Sequence, residues 1–392
     1  MRTSNADDVV AKIVQSINEV PGEQWDTCAR GDNPFLSHAF LSALEDSECV
    51  SRRTGWGPVH LVIEGADGAL AGCVPLYMKS HSRGEYIFDH GWADAYERAG
   101  GRYYPKLLAA VPFVPATGRR LLVRPAPDEA NVQSQLIAAL KSASEQLDIA
   151  TVSVNFCTEN EWEQMAAAGY LRRADQQFHW YNRGYASFDD FLDDLSSRKR
   201  KTIRRERRGA TENDIQIEVL QGAELTEDHW DAFYAFYMDT GGRKWGTPYL
   251  NRTFFSLINE RMAEQIVLIM CKRAGRYIAG ALNFVGTDCI YGRHWGCIED
   301  HKFLHFEACY YQAIDYAIAH GLDRVEAGAQ GPHKLARGYM PTRIHSAHYI
   351  RDSGFRRAVA NYLEHERREV EHDMGYLEDR APFRKGERHS LD

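Results

Sequence analysis

The chain has no Cys-x-x-Cys pair: its eight cysteines stand singly at 28, 49, 73, 157, 271, 289, 297 and 309. That spacing argues against a structural zinc site and leaves reduced, buried thiols as the expected state. No Gly-x-Gly-x-x-Gly opens a strand-to-helix unit and no Gly-x-x-x-x-Gly-Lys-Ser/Thr loop occurs, which sets aside dinucleotide chemistry and nucleotide hydrolysis. His-Glu-x-x-His is missing as well. The i,i+4 pair His301 and His305 lacks a third ligand, so no metal is expected. Long apolar runs are missing too: the most apolar uncharged stretch, 107–118, is interrupted by Pro112 and Pro115. The first eight residues, Met1-Arg-Thr-Ser-Asn-Ala-Asp-Asp8, carry neither the basic nor the apolar region of a signal peptide. The expectation is a cytoplasmic protein without membrane insertion.

What is present occurs twice. Ala71-Gly72 lies in a glycine-turned strand pair, and Ala279-Gly280 lies in another. Tyr86-Ile-Phe-Asp-His90-Gly-Trp92 answers Ile290-Tyr-Gly-Arg-His294-Trp-Gly296. Gly169-Tyr170-Leu171 with His179-Trp180-Tyr181 answers Gly338-Tyr339-Met340 with His348-Tyr349-Ile350. The three landmarks keep their order at offsets of 208, 204 and 169, so one ancestral unit is present in tandem, the first copy carrying extra residues. A chain of 392 residues also exceeds what one core usually supports.

Periodicity predicts a helix over 34–44 beside Ser37, three antiparallel strands over 59–92, and an amphipathic helix over 129–147 with Val132, Leu136, Ile137, Leu140 and Leu147 inward. A strand at 149–156, a short helix at 159–168 stopped by Gly169, and a strand at 177–183 complete the first copy. The second copy repeats the scheme with strands over 266–296, a helix at 305–320, a strand at 322–327 and a turn-rich segment at 328–338. This order predicts an α/β class fold, a mixed sheet with helices on its faces. The expected domains are 1–185, a basic connecting helix at 186–210, and 211–392.

The connecting helix carries the steepest charge gradient in the chain. Asp189, Asp190, Asp193 and Asp194 precede Arg198, Lys199, Arg200, Lys201, Arg204, Arg205, Arg207 and Arg208, which meet only Glu206. That is +7 within eleven residues of a chain whose net charge is −8, leaving −15 elsewhere. Helix-dipole pairing accounts for a few such charges and solvation for some of the rest. A net seven, with like charges at i,i+3 and i,i+4, points to a polyanionic ligand. Candidates are tRNA, the phosphates of coenzyme A, or a nucleotide-linked or lipid-linked precursor.

The segment from His305 to Gly338 is the most chemically loaded. Glu307 shares a stripe with Tyr311, Ile314 and Ile318, where burial would raise its pKa unless a cation pairs with it. Glu326 ends a predicted strand at the sheet's C-terminal edge, where ligands bind in α/β sheets. Gly328, Gly331 and Gly338, interleaved with Gln330, His333, Lys334 and Arg337, suit a loop that wraps a ligand with amide, imidazole and cationic donors.

Several stretches then resemble one family: 33–45, 84–96, Tyr103-Tyr-Pro-Lys106, Pro112-Phe-Val-Pro115 and the 305–338 segment. They look like the FemAB-like predicted N-acyltransferases, long labelled by analogy with peptidoglycan biosynthesis, and the likeness runs from about 30 to 355. The resemblance implies two tandem GNAT-type acyltransferase domains. It also implies kinship with the bridge-forming Fem transferases and, more distantly, with leucyl/phenylalanyl-tRNA protein transferase, which pass an aminoacyl group from aminoacyl-tRNA to an amine. Glu307, Glu326 and Gln330 resemble that transferase's helix acid, strand-end acid and glutamine.

Such chemistry needs a base for the acceptor amine and donors for the oxyanion. Glu326 is the expected base, with His294 or His333 as second choices. Backbone amides near Trp295 and Gly296 are expected to hold the acyl carbonyl, and Lys334, Arg337, Arg200, Lys201, Arg204 and Arg205 to take phosphates. No tightly bound cofactor is expected; acyl-CoA or aminoacyl-tRNA is the co-substrate. The standard Gln/Arg-x-x-Gly-x-Gly/Ala pyrophosphate loop is missing, with Gly118-Arg-Arg120 its nearest relic, which leans towards tRNA. The second copy is then catalytic and the first an acceptor-side or structural partner. A non-catalytic RNA-binding module and an acyl-CoA sensor or scaffold remain as alternatives.

Overall fold

A computed structural model of the chain describes residues 11–244, 248–328 and 331–384. It forms two compact units, Met1–Asp175 with Ile344–Glu369 and Gln176–Arg343 with Val370–Asp392. The chain leaves the first unit inside one eleven-residue strand and returns to it inside another, so neither unit is a contiguous half. The linear boundaries expected at 185 and 210 do not anticipate this, because the last strand of each sequence copy contributes to the unit of the other.

The first unit contains β1 (Ala11–Val14), α1 (Gly22–Ala29), α2 (His38–Asp46), β2 (Trp56–Pro58), β3 (His60–Glu64), β4 (Leu70–Val74) and β5 (Leu76–Lys79). There follow α3 (His90–Arg98), β6 (Lys106–Ala109), β7 (Leu122–Val123), α4 (Glu129–Gln146), β8 (Thr151–Cys157), α5 (Glu159–Ala167) and the start of β9 (Leu171–Tyr181). One sheet runs β1-β3-β4-β7, and a second runs β2-β5-β6-β8 and ends on residues 344–350, antiparallel to β8. Ser37 caps α2 by accepting the Phe40 amide, and Thr158 with Glu161 forms a capping box on α5. Val132, Leu136, Ile137 and Leu140 line one face of α4 and bury against Leu61, Ile63, Val74 and Val152. Gly72 permits that approach, since a Cβ there would sit 2.8 Å from a Val132 methyl.

The second unit holds the end of β9, α6 (Phe188–Asp194), α7 (Ser197–Ala210), β10 (Gln216–Gln221), α8 (Glu227–Lys244), α9 (Arg252–Met262), β11 (Ile266–Arg273), β12 (Arg276–Val285) and β13 (Cys289–Cys297). After these come α10 (Leu304–Phe306), a π-helical turn (Glu307–Tyr311), α11 (Gln312–Ala319), β14 (Arg324–Glu326) and the start of β15 (Met340–Ile350); α12 (Ser353–Glu378) belongs to the first unit as far as Glu369 and to the second beyond it. The sheet runs β10-β11-β12-β13-β14-β9, antiparallel except for the β13–β14 pair. One face buries Val267, Ile269, Ala281, Ile290 and Val325 with Ile203 of α7 and Tyr311, Ile314 and Ala317 of the crossover helix. At Gly280 a Cβ would stand 3.0 Å from the Phe233 ring, which marks where α8 rests on the other face.

Three expectations fail for identifiable reasons. Residues 86–92 form no strand, because His90 opens α3; β6 is the counterpart of β13, antiparallel to the strand before it and parallel to the strand after its helix. Leu147 is 39% exposed, since α4 ends at Gln146 and Leu147 is its cap. The acid-to-base helix is two helices, broken where fully buried Leu195 turns extended and bridges Phe383.

Candidate active site

The parallel strands β13 and β14 run together for three residue pairs, Cys289 with Arg324, Ile290 with Val325 and Tyr291 with Glu326, and then part. Two local features drive them apart. In β13, Leu282 opposes His294 and Asn283 opposes Gly292, leaving Arg293 as the extra residue of a bulge, and a bulge bends its strand out of register. In β14, Gly328 takes a φ of +75° and turns the chain away. Lys334 holds that turn by donating to the carbonyls of Ala327 (2.5 Å) and Gly328 (2.9 Å). It is 2% exposed, and burial without a carboxylate partner brings its pKa down to about 8.

The parting opens a cavity of about 120 Å³. Asn283, Gly292 and Trp295 line it from the sheet, Ala327 from the end of β14, and His305, Cys309 and Tyr310 from the crossover helix. Side chains alternate along a strand. Val325 packs on the crossover-helix side, so Glu326 projects from the opposite face.

Glu326 is 4% exposed. Its Oε1 accepts from Arg324 Nε at 3.1 Å, while Oε2 has no hydrogen-bond partner. His179 Nε2 lies 3.9 Å from that second oxygen, and burial lowers the imidazole's pKa, with Glu326 opposing the shift. The result is a buried carboxylate with one oxygen spare beside a neutral imidazole, at the apex of the opening. On the same face the His294 ring packs against Tyr237 at 5.1 Å, and burial with Arg293 drives its pKa down to about 3. It is a neutral group and a weak base.

The remaining expected residues separate into those near the opening and those used elsewhere. Glu307 is buried and accepts two bonds from Arg207 of α7 (3.0 and 3.2 Å) and one from Gln312 (2.8 Å). Burial raises its pKa and Arg207 counters, so it fastens α7 to the π-turn. Arg337 Nη2 donates to both oxygens of buried Glu206 (2.9 and 3.0 Å), and the guanidinium stacks 3.5 Å from the Phe306 ring, leaving it little face for a phosphate. His333 is exposed and bonds the Tyr310 hydroxyl at 2.9 Å. Gly296 is a packing position: a Cβ there would stand 2.3 Å from the backbone of Phe236 in α8. Trp295 and Gly296 pair with Ala281 and Gly280 of β12, beyond the point where β13 leaves β14 at Tyr291. Gln330 lies outside the described residues.

On α7, Arg200 pairs with Asp193 and Arg204 with Asp189. Arg198, Lys201, Arg205 and Arg208 are exposed at i, i+3, i+7 and i+10, and no acid among the described residues is within ion-pair reach of them. Sequence reasoning missed Asn283, the Arg293 bulge, His179 and Glu206. Only Glu206 left a signal, as the lone acid among eight cations on the stripe of Ile203 and Ala210.

An antiparallel sheet leading into a parallel pair that splays over a cavity, with a crossover helix between, is the architecture of the GNAT-type fold, here in a tandem chain. The chain belongs to the FemAB-like family, described as peptidoglycan biosynthesis/recognition, whose profile matches residues 16–385. Among solved structures it is similar to FemX, at 12% identity and a TM-score of 0.56 over 87% of this chain and 98% of that one. It is also similar to the C-terminal domain of a putative lysylphosphatidylglycerol synthetase from Agrobacterium fabrum, at 10% identity and a TM-score of 0.53 over 89% and 95%. A third likeness is to L-PGS from Bacillus licheniformis, at 11% identity and a TM-score of 0.50 over 91% and 98%. No curated protein matches the chain. Among the described residues no helix is long and apolar enough to cross a membrane.

Proposed function

We propose that the second unit is an N-acyltransferase domain that moves an acyl or aminoacyl group from an activated ester or thioester to an amine. The observation that carries this reading is the spare oxygen of Glu326 at the apex of the β13–β14 opening, with the cavity on the opposite face. The acyl group enters the cavity from the crossover-helix side, and the amine approaches from the face of Glu326. Nitrogen attacks the carbonyl carbon, its proton passes to Glu326 Oε2 directly or through one water, and the oxyanion meets backbone amides of β13 where it parts from β14. The leaving oxygen or sulfur then takes the proton.

Two features favour aminoacyl-tRNA over coenzyme A as the carrier. The segment joining β13 to α10, where a pyrophosphate loop would lie, has no glycine and carries Glu299 and Asp300. Glu299 is held ionised, its pKa pulled down to about 2 by His301 first and then by Arg276 and Arg273. The exposed cations Arg198, Lys201, Arg205 and Arg208 of α7 supply the positive stripe that a nucleic-acid backbone needs. The family's description makes an amine of a peptidoglycan precursor one acceptor to try.

Glu326→Gln is expected to lower turnover at least ~10²-fold with donor binding kept, the scale of general-base loss. An unchanged rate removes Glu326 from the mechanism. The same stripe suits a second reading, an RNA-binding module without turnover, which steep salt dependence in the absence of any transfer would establish.

A further inference from the structure

The cavity contains one polar group whose partner is missing. Asn283 is 1% exposed, and its Nδ2 spends its hydrogens on the carbonyls of Val267 (3.2 Å) and Ala281 (3.3 Å). Flipping the amide would set its oxygen against those two carbonyls, so the orientation is fixed. Its Oδ1 consequently has no hydrogen-bond partner, and it lies 3.4 Å from where a Gly292 Cβ would be, beside the cavity that both residues line. A buried acceptor left unsatisfied is costly unless a ligand satisfies it.

Two further properties narrow that ligand. The cavity measures about 120 Å³, somewhat less than the roughly 150 Å³ pocket that admits benzene, which leaves room for about five non-hydrogen atoms. Among the described residues no carboxylate lines it, so an ammonium would find no counter-charge. A neutral amine or a hydroxyl meets both conditions.

We infer that Asn283 is a specificity-determining residue: it selects a small acyl group that bears an N–H or O–H donor on the carbon next to the carbonyl, and it rejects both the bare acyl group and bulky side chains. This rests on the transfer reading above, since it concerns which group enters the same opening. Glycyl, alanyl and glycolyl groups fit the cavity with the donor in reach of Oδ1. Acetyl leaves Oδ1 unsatisfied, and leucyl exceeds the space.

The test uses the full chain and stable amide probes in place of esters. Glycyl, glycolyl, acetyl and leucyl groups are each joined to 3′-amino-3′-deoxyadenosine and, separately, to the amine analogue of pantetheine, and Kd is measured by calorimetry. On whichever carrier binds, glycyl or glycolyl should bind about tenfold or more tightly than acetyl and leucyl. The tighter of the first two identifies the donor as amine or hydroxyl. Asn283→Leu should bring the ratio of the glycyl and acetyl Kd values to about one, and the wild-type series decides alone if that variant fails to fold. Equal binding of acetyl and glycyl, or leucyl binding as well as glycyl, overturns the inference and leaves the transfer reading standing. Failure of every probe on both carriers overturns the transfer reading itself.

Discussion

The two units build the same parallel pair, β6–α4–β8 in the first and β13–crossover–β14 in the second, and treat the gap beyond it in opposite ways. In the first unit the pair ends at Ala109 and Val154, and the proline-bearing segment that follows closes over the gap. Gly118 donates to the Phe156 carbonyl at 3.0 Å. The fully buried Arg120 guanidinium donates to the carbonyls of Asn155 (2.9 Å), Ala116 (2.8 Å), Gly118 (2.9 Å) and Arg119 (3.1 Å). Glu161 accepts the amides of Arg120 and Leu121, both at 2.7 Å. Gly118-Arg-Arg120 is therefore a plug, with the Arg120 cation turned onto main chain. In the second unit the gap is a cavity with a spare acceptor. Duplication supplied two frameworks, and the five fixed donors of one arginine close the first.

Arg120→Ala gives the sharpest contrast. It strands several buried carbonyls and takes from Glu161, whose pKa burial raises, a cation that opposes the rise, so it should cost about 3–5 kcal/mol in urea unfolding. Asn283→Leu removes an unsatisfied oxygen from the open gap but also the bonds to the Val267 and Ala281 carbonyls, so it should cost about 1–2 kcal/mol, clearly less than Arg120→Ala. Equal losses would mean that the first gap is not plugged in this sense.

A second contrast is in pH. Burial raises Glu85 to about 7, its contact with Lys106 at 2.7 Å opposing, and burial lowers Lys79 to about 7. Between about 4.5 and 7 the folded chain binds the Glu85 proton more tightly than the unfolded chain, so stability falls as pH rises. Between about 7 and 10.5 the unfolded chain holds the Lys79 proton more tightly, so stability rises again. Lys334 of the second unit, lowered to about 8, adds only to the upper limb. Glu85→Gln should flatten the lower limb, a change of roughly 2 kcal/mol between pH 5 and 7 read from urea midpoints. An unchanged profile would show that Glu85 titrates as an ordinary surface acid.

How far the sequence discloses this contrast depends on the range of the interaction that decides each feature. Helices with short-range signals are readable: Ser37 before α2, Thr158 with Glu161 on α5, and Gly169 and Gly321 at positive φ beyond their helices. The register of β13 is not, because a bulge at Arg293 shows itself only against β12. Asn283 reads as an ordinary strand residue until its amide is seen spent on Val267 and Ala281. Glu307 reads as a carboxylate on an apolar stripe and Arg337 as a loop cation for phosphate, but their partners Arg207 and Glu206 lie 100 and 131 positions away in sequence. Sequence spacing shows that a buried charge needs a partner and does not show which one.

The smallest contrast lies within α7, between neighbours of the same type. Arg204 pairs with Asp189 at 2.9 Å with both side chains well exposed, and such pairs are worth about 0–1 kcal/mol. Arg205, on the stripe with Arg198, Lys201 and Arg208, has no such acid. Replacing either by Gln should leave stability within about 0.5 kcal/mol. Their effects on binding to bulk tRNA should differ: Arg205→Gln should lower the slope of log K against log salt by about 1, and Arg204→Gln by clearly less, since Asp189 already neutralises it. Equal slopes would mean that the helix presents its charge to solvent as a whole, and the distinction between paired and unpaired cations would lose its functional meaning.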